Sequence, residues 1–165
     1  MPEPRHFHPY LRSRGAESWR SEVKSQEVKI YREIQRNADM AMKAIDTIAE
    51  KVENEELSLQ ISRQSLGYSE LHNEAVKQLI DAKTRPLQSN HLSDAVLKTG
   101  LRYNTMLNTS TSRLAELLIR ENNNGILEME KVLRANEEAG AKPTALAKQL
   151  IELEEKNVRC LKEYL

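Results

Sequence analysis

Residues 30–52 read IYREIQRNADMAMKAIDTIAEKV, and this stretch decides the fold. Its apolar residues recur at three- and four-residue steps, which is the period of one face of an α-helix. A single polar residue, Asn37, interrupts the row near its middle. We therefore predict an amphipathic helix over residues 26–52, with one polar side chain on its buried face.

Three later segments repeat this pattern, and each contains one polar interruption: His72, Asn122 and Asn157. Turns are predicted near Asn54 and Gly140, and each polar residue lies about 17 residues from its turn. At about 1.5 Å per helical residue, two hairpins bring all four side chains to one level. The sequence thus predicts a four-helix core crossed by a polar layer of Asn37, His72, Asn122 and Asn157.

The boundaries of the second and connecting helices follow from capping and breaking residues. Asn54 precedes two glutamates and suits an N-cap, which predicts helix two over residues 55–82. Pro86 breaks the pattern, and a short connecting helix is predicted over residues 93–108. The alternative is one unbroken helix of about 45 residues over residues 93–138.

The last two helices are placed by similar signals. The run Thr109-Ser110-Thr111-Ser112 favours a helix start, so helix three is predicted over residues 110–138. Gly140 suits its C-cap, and Pro143 suits the first position of helix four, which is expected to continue to the C-terminus.

Composition and domain organisation agree with an all-α chain. The protein has 165 residues, of which 39% are hydrophobic and 30% charged, with only five Gly and five Pro. Residues 1–25 lack a stable period and are predicted to be a flexible N-terminal tail, followed by a bundle over residues 26–165. A connection of about 27 residues between two hairpins is typical of ferritin-like bundles.

Several classes of partner and location are disfavoured. The formal net charge is zero, which gives no general attraction for nucleic acid. No apolar run is long enough to span a membrane, and no hydrophobic region typical of a secretory signal follows the N-terminus. The one cysteine, Cys160, cannot form an internal disulfide. We therefore expect a cytoplasmic protein.

Two stretches carry a resemblance to a known family. GLRYNTMLNTSTSRLAELLIRENNNGILEMEKVL, residues 100–133, and LEEKNVRCLKEYL, residues 153–165, are similar to an uncharacterised bacterial family of ferritin-like four-helix bundles. The resemblance covers about residues 27–165. It implies an antiparallel bundle of two hairpins with a long crossover, and it implies no activity.

Metal ligands are sparse at the predicted polar layer. A di-iron ferritin-like site uses a Glu from each of two helices and Glu-x-x-His from each of the other two. Here the corresponding pairs are Ser69-x-x-His72 and Glu154-x-x-Asn157. Strong donors are limited to His72, Glu121 and Glu154, so no cofactor is expected; iron or another divalent metal at these three residues is the alternative. No catalytic residues are predicted.

Two functions remain open from the sequence. The first is a non-catalytic bundle that acts through a homodimer or a protein partner. The polar layer is then structural, because buried amides at one level can satisfy one another's hydrogen bonds. An exposed apolar strip of Leu101, Met106, Leu107 and Ile119 would support it. The second is a metal-binding ferritin-like oxidoreductase or storage protein. The remaining alternative is that the predicted inward faces are wrong by one residue, for example with Glu121 facing inward instead of Asn122. Some residues of the polar layer would then face water.

Overall fold

The computed structural model describes residues 10–88 and 109–165, and all regular structure in these ranges is helical. It consists of α-helices and a short 3-10 turn: α1 Tyr10–Ala49, α2 Glu55–Asp81, α3 Thr111–Ala135, α4 Ala141–Leu161 and the turn Lys162–Tyr164. Within these ranges no helix is both long and apolar enough to cross a membrane. The predicted connecting helix at residues 93–108 lies outside the described residues.

Helix α1 begins sixteen residues before its predicted start at residue 26, at Tyr10, and ends at Ala49 rather than residue 52. Its residues 15–22 are all exposed. Four of these eight residues are Ala, Arg or Glu, which favour a helix even without a buried face. The apolar stripe therefore marks where α1 packs on the bundle, and it does not mark where the helix begins.

Helix α2 matches its predicted span to one residue at the end. The Asn54 Oδ1 accepts a hydrogen bond of 2.8 Å from the Leu57 amide, which caps the first turn. At the other end, Lys83 adopts a left-handed φ of 56°. The Thr84 amide bonds to the Leu79 carbonyl at 2.8 Å, so the chain leaves the helix in a Schellman-type turn.

Beyond this turn, the chain lies against α1. The Gln35 side chain donates to the Leu87 carbonyl at 3.1 Å and accepts from the Leu87 amide at 2.9 Å. Arg32 also donates to the Arg85 carbonyl at 3.3 Å. These bonds fix the beginning of the crossover on the surface of α1.

Helix α3 starts inside the predicted Thr-Ser run. Ser110 is its N-cap, and residues 109–110 are not helical, so an unbroken helix of 45 residues is wrong. The helix ends at Ala135, three residues before the predicted end, because Asn136 leaves helical geometry. Gly140 is the N-cap of α4 rather than the C-cap of α3, and Pro143 is the third residue of α4 rather than the first.

The core forms where the four apolar faces meet. Helix α1 packs chiefly on α2, α3 packs chiefly on α4, and smaller contacts join α1 with α3 and α2 with α4. The α3–α4 turn is bonded to α1: the Gln26 Oε1 accepts from the Glu138 amide at 3.0 Å, and the Glu27 Oε1 from the Gly140 amide at 3.3 Å. The largest fully buried side chains are Tyr68, Ile30, Ile34, Ile48, Leu57, Ile61, Leu79, Leu114, Met129, Leu150 and Leu161.

Candidate functional site: a polar cavity in the bundle core

A buried polar cluster links α2, α3 and α4. The Tyr68 hydroxyl donates to the Asn122 Oδ1 at 2.8 Å, and the Asn157 Nδ2 donates to the Tyr68 hydroxyl at 3.3 Å. The Asn122 Nδ2 donates to the Leu118 carbonyl at 2.7 Å, one turn earlier on α3. All three side chains are buried. Two of the predicted layer residues, Asn122 and Asn157, are thus brought together through a tyrosine.

Asn37 is also buried, but it bonds to backbone rather than to the other amides. Its Nδ2 donates to the Gly125 carbonyl at 3.1 Å, which ties α1 to α3. Gly125 lies almost one turn beyond Asn122 on α3. A Cβ atom at this position would overlap the Glu154 carboxylate and would stand 2.9 Å from the Asn37 Oδ1. The glycine therefore allows two polar side chains to approach the backbone of α3.

The predicted fourth member, His72, does not join the layer. It is half-buried, and its Nδ1 lies 3.4 Å from the Oδ1 of its neighbour Asn73. The inward position on this turn of α2 belongs to Leu71, and one residue corresponds to a rotation of about 100°. Tyr68 supplies the polar group of α2 instead. Because its aromatic ring fits the apolar stripe, the sequence pattern does not indicate that its hydroxyl belongs to the polar layer.

Gln64 is a core residue that the sequence pattern did not identify. Its side chain is only 2% exposed. Neither its Nε2 nor its Oε1 has a hydrogen-bond partner among the residues that the structure describes. Gln64 lies three and four residues from Ile61 and Tyr68, so helical spacing does place it on the buried face. It was missed because glutamine is common on exposed helix faces.

Glu154 is the most perturbed carboxyl group of the site. It is 1% exposed, and burial raises its pKa from 4.5 to about 8, a shift that the nearby Tyr68 hydroxyl partly opposes. Burial, with a smaller contribution from the Glu154 charge, also raises the pKa of Tyr68 well above its ordinary value. Glu154 Oε2 has no partner within the described ranges. The carboxyl is therefore mainly protonated at neutral pH.

These groups line a cavity of about 100 Å³ that lies between α1 and α3. Its deepest residues are the buried Gln64, Tyr68 and Glu154, and its outer residues are polar and less buried, among them Arg36 and Asn124. Between them the walls are largely apolar and are formed by Met40, Ala41, Ala44, Ile45 and Leu118. We call this space the core cavity.

The residues at the core cavity do not fit a di-iron centre. Glu121, Glu128 and Glu154 line it, but His72 does not. Within residues 10–88 and 109–165, no group of three or more His, Cys, Asp and Glu side chains is placed to hold a metal ion. The neighbours of Glu154 are amides and a phenol, which hydrogen-bond well and bind hard or borderline cations weakly. The arrangement is suited to hydrogen bonding with uncharged groups.

The exposed face of α2 forms a second candidate surface. Leu59, Leu66 and Ile80 are large and exposed, and together with exposed Asn73 they recur every seven residues. We call these four residues the α2 outer row. Beside it run the exposed charges of the α2 charged row, which alternate in sign at the same interval: Glu56, Arg63, Glu70 and Lys77.

The apolar strip expected from the sequence is a different surface. Leu101, Met106 and Leu107 lie outside the described residues. Ile119 is half-buried and packs against the core, so it is not an exposed contact residue.

Comparison with protein-family models, with curated proteins and with solved structures gave no match to this chain.

Proposed function

We propose that this protein is a non-catalytic, ferritin-like helical bundle that acts by pairing with a second copy of itself through the outer face of α2. The observation that carries the proposal is the α2 outer row. Its three large apolar side chains, with Asn73 at the remaining seven-residue step, form the seam of a two-helix interface. The positions between them hold Ser62, Ser69 and Val76. The two serines let a facing helix approach closely.

The charged row favours an antiparallel pair. When two α2 helices run in opposite directions about a two-fold axis, Arg63 faces the partner's Glu70, and Glu56 faces the partner's Lys77. Each pair has opposite charges, and the symmetry forms each pair twice. The same alignment sets Leu66 near the partner's Ser69, so a large side chain meets a small one. Complementarity of this kind specifies orientation more than it adds affinity.

Asn73 fits the same arrangement. It lies in the α2 outer row between Leu66 and Ile80, and in the antiparallel alignment it is close to the partner's Ser62. A single polar residue in an apolar seam fixes the register of a coiled coil because other alignments leave it without a partner. The α2 outer row thus combines apolar contact, charge pairing and a register marker.

The ferritin-like part of the proposal rests on connectivity. Two helical hairpins, α1–α2 and α3–α4, are joined by residues 82–110, a connection long enough to return along a bundle. The bonds from Gln26 and Glu27 to the α3–α4 turn set the start of the packed part of α1 beside the end of α3. This supports antiparallel hairpins with α2 and α3 running in the same direction.

The non-catalytic part rests on the chemistry of the buried polar cluster. Its amides and tyrosine hydroxyl bond to one another and to backbone carbonyls, which stabilises one arrangement of helices. A ferritin-like oxidoreductase instead needs carboxylates and imidazoles that converge on two metal ions. Hydrogen-bonded amides at this level are suited to specifying the fold.

Sedimentation equilibrium of the purified chain tests the proposal. The wild type is expected to be a dimer, and Leu66→Glu is expected to weaken dimerisation at least about tenfold, because it buries a charge at the centre of the seam. Leu127→Glu is the matched control, since Leu127 is 50% exposed on α3 and Leu66 is 67% exposed on α2. A monomeric wild type, or equal effects of the two variants, would contradict the proposal.

A further inference from the structure

The core cavity contains buried polar atoms that have no hydrogen-bond partner among the residues that the structure describes. Both polar atoms of Gln64 and the Oε2 of Glu154 have no hydrogen-bond partner in the described part of the chain. Both side chains are almost completely buried, and both line the core cavity. Buried polar groups in folded proteins are nearly always paired, so such a concentration indicates a site that accepts an outside molecule.

The chemistry of the buried polar end of the core cavity favours an uncharged ligand. Gln64 offers an N–H donor and a carbonyl acceptor side by side, which is the pattern that a second primary amide complements with two hydrogen bonds. The Glu154 carboxyl is mainly protonated at neutral pH and presents no full charge to neutralise a cation. An anion would lose its hydration without gaining an opposite charge there. A neutral donor–acceptor group avoids both penalties.

The walls of the core cavity indicate that the rest of the bound molecule is apolar. Met40, Ala44, Ile45 and Leu118 are apolar and lie between the deep polar end and the outer residues. A volume of about 100 Å³ accommodates a body of a few carbon atoms. We propose that the core cavity binds a small, uncharged molecule with adjacent hydrogen-bond donor and acceptor groups, such as a short-chain primary carboxamide, with its polar end at Gln64 and Glu154.

This inference goes beyond the proposed self-association, because no residue of the α2 outer row lines the core cavity. The two are separable by experiment. Leu66→Glu is expected to bind the amide as the wild type does, even when it no longer dimerises. Loss of amide binding in Leu66→Glu would contradict the independence of the two sites.

Propionamide is a suitable probe for the full-length chain. Titration into ¹⁵N-labelled protein is expected to give saturable chemical-shift changes at the Gln64 side-chain amide and at the backbone amides of the residues that line the core cavity. The expected dissociation constant is in the millimolar range that is usual for so small a ligand. Propionate, which has almost the same shape but carries a charge, is expected to bind about tenfold more weakly. Shifts that never saturate, or an equal response to propionate, would overturn the proposal.

Two variants and one control connect the response to the core cavity. Gln64→Leu removes the amide that is proposed to pair with the ligand, and it is expected to weaken propionamide binding about tenfold, as read from the backbone amides of the cavity lining. Gln60→Leu, at a half-buried position outside the cavity lining on the same helix, is expected to bind normally. Ala44→Leu fills the space with apolar side chain and is expected to abolish binding, which keeps the test valid if Gln64→Leu fails to fold. Unchanged binding by Ala44→Leu would overturn the proposal.

Discussion

At the residue scale, Glu154 makes the stability of the bundle depend on pH. Its pKa in the folded protein is about 8, whereas the ordinary value is 4.5. Between these values the carboxyl is protonated in the folded protein and ionised in the unfolded chain, so folding takes up a proton. Raising the pH therefore opposes folding, and the contribution of Glu154 is most favourable below its ordinary pKa.

The first prediction uses Glu154→Gln, which has the shape of the protonated carboxyl but does not titrate. Urea unfolding of the wild type is expected to show a free energy that falls by up to about 1.4 kcal/mol for each pH unit between roughly pH 5 and pH 8. The variant lacks this component, so the difference between the two proteins should widen as pH rises. Parallel pH profiles would show that Glu154 is not buried in the manner described.

Gly125 provides a second prediction at this scale. Alanine normally stabilises a helix by about 1 kcal/mol relative to glycine. At this position the added methyl group would overlap the Glu154 carboxylate and crowd the Asn37 Oδ1, and overpacking of that kind costs about 1–3 kcal/mol. Gly125→Ala is therefore expected to lower the free energy of unfolding by about 1 kcal/mol in denaturant titrations.

Gly15→Ala is the control, because a Cβ at Gly15 meets no atom within 4 Å in helix α1. It is expected to be neutral or to stabilise the protein by a few tenths of a kcal/mol. A stabilised Gly125→Ala variant would mean that Glu154 and Asn37 do not approach the backbone of α3 as described.

The site could be predicted only in part, and the limit lies in helix phase. Asn37, Asn122 and Asn157 interrupt apolar stripes, so their burial follows from spacing. His72 also seemed to interrupt a stripe, but Leu71 occupies the inward position, and one residue changes the direction by about 100°. The roles of Gln64 and the Tyr68 hydroxyl depend on which atoms meet across helices, which no single-helix pattern contains.

At the scale of the helices, the turn after α2 contains a lysine in a backbone conformation that disfavours side chains. Lys83 has a φ of 56°, the left-handed conformation in which a Cβ atom is unfavourable. Glycine is the common residue at this position of a Schellman turn. Lys83→Gly is expected to raise the midpoint of urea unfolding, with a gain of about 0.5–1 kcal/mol.

The control for this prediction is Lys148→Gly, which introduces the same replacement at an exposed position within α4. It is expected to destabilise the protein by about 1 kcal/mol, because glycine is a poor residue in a helix interior. A loss of stability in Lys83→Gly would show that the chain does not leave α2 through a left-handed residue.

Helix boundaries were predictable where a side chain caps the backbone. Asn54 and the Thr-Ser run before α3 identify the starts of two helices, because their oxygens accept hydrogen bonds from free amides in the first turn. The start of α1 at Tyr10 was not predictable from apolar periodicity, since residues 15–22 are exposed. Gly140 was assigned to the wrong helix because glycine suits both an N-cap and a C-cap position.

At the scale of the whole molecule, the sequence allowed prediction of an all-helical chain and of its four main segments. Each helix has one apolar stripe that it must bury against another helix, and together the four stripes enclose one core. The surface that we propose for self-association differs from the apolar strip expected from the sequence. The apolar strip was expected on residues that include Ile119, which packs on the core, whereas the exposed row is on the opposite side of α2 from its buried face.

The most direct test of self-association through α2 is a charge exchange read by sedimentation equilibrium. Arg63→Glu faces the partner's Glu70 in the antiparallel pair, so it is expected to weaken the dimer several-fold at low salt. Adding Glu70→Arg restores opposite charges across the two-fold axis, and the double variant is expected to dimerise about as well as the wild type. A double variant no better than Arg63→Glu alone, or a dimer that is indifferent to both changes, would contradict antiparallel pairing through α2.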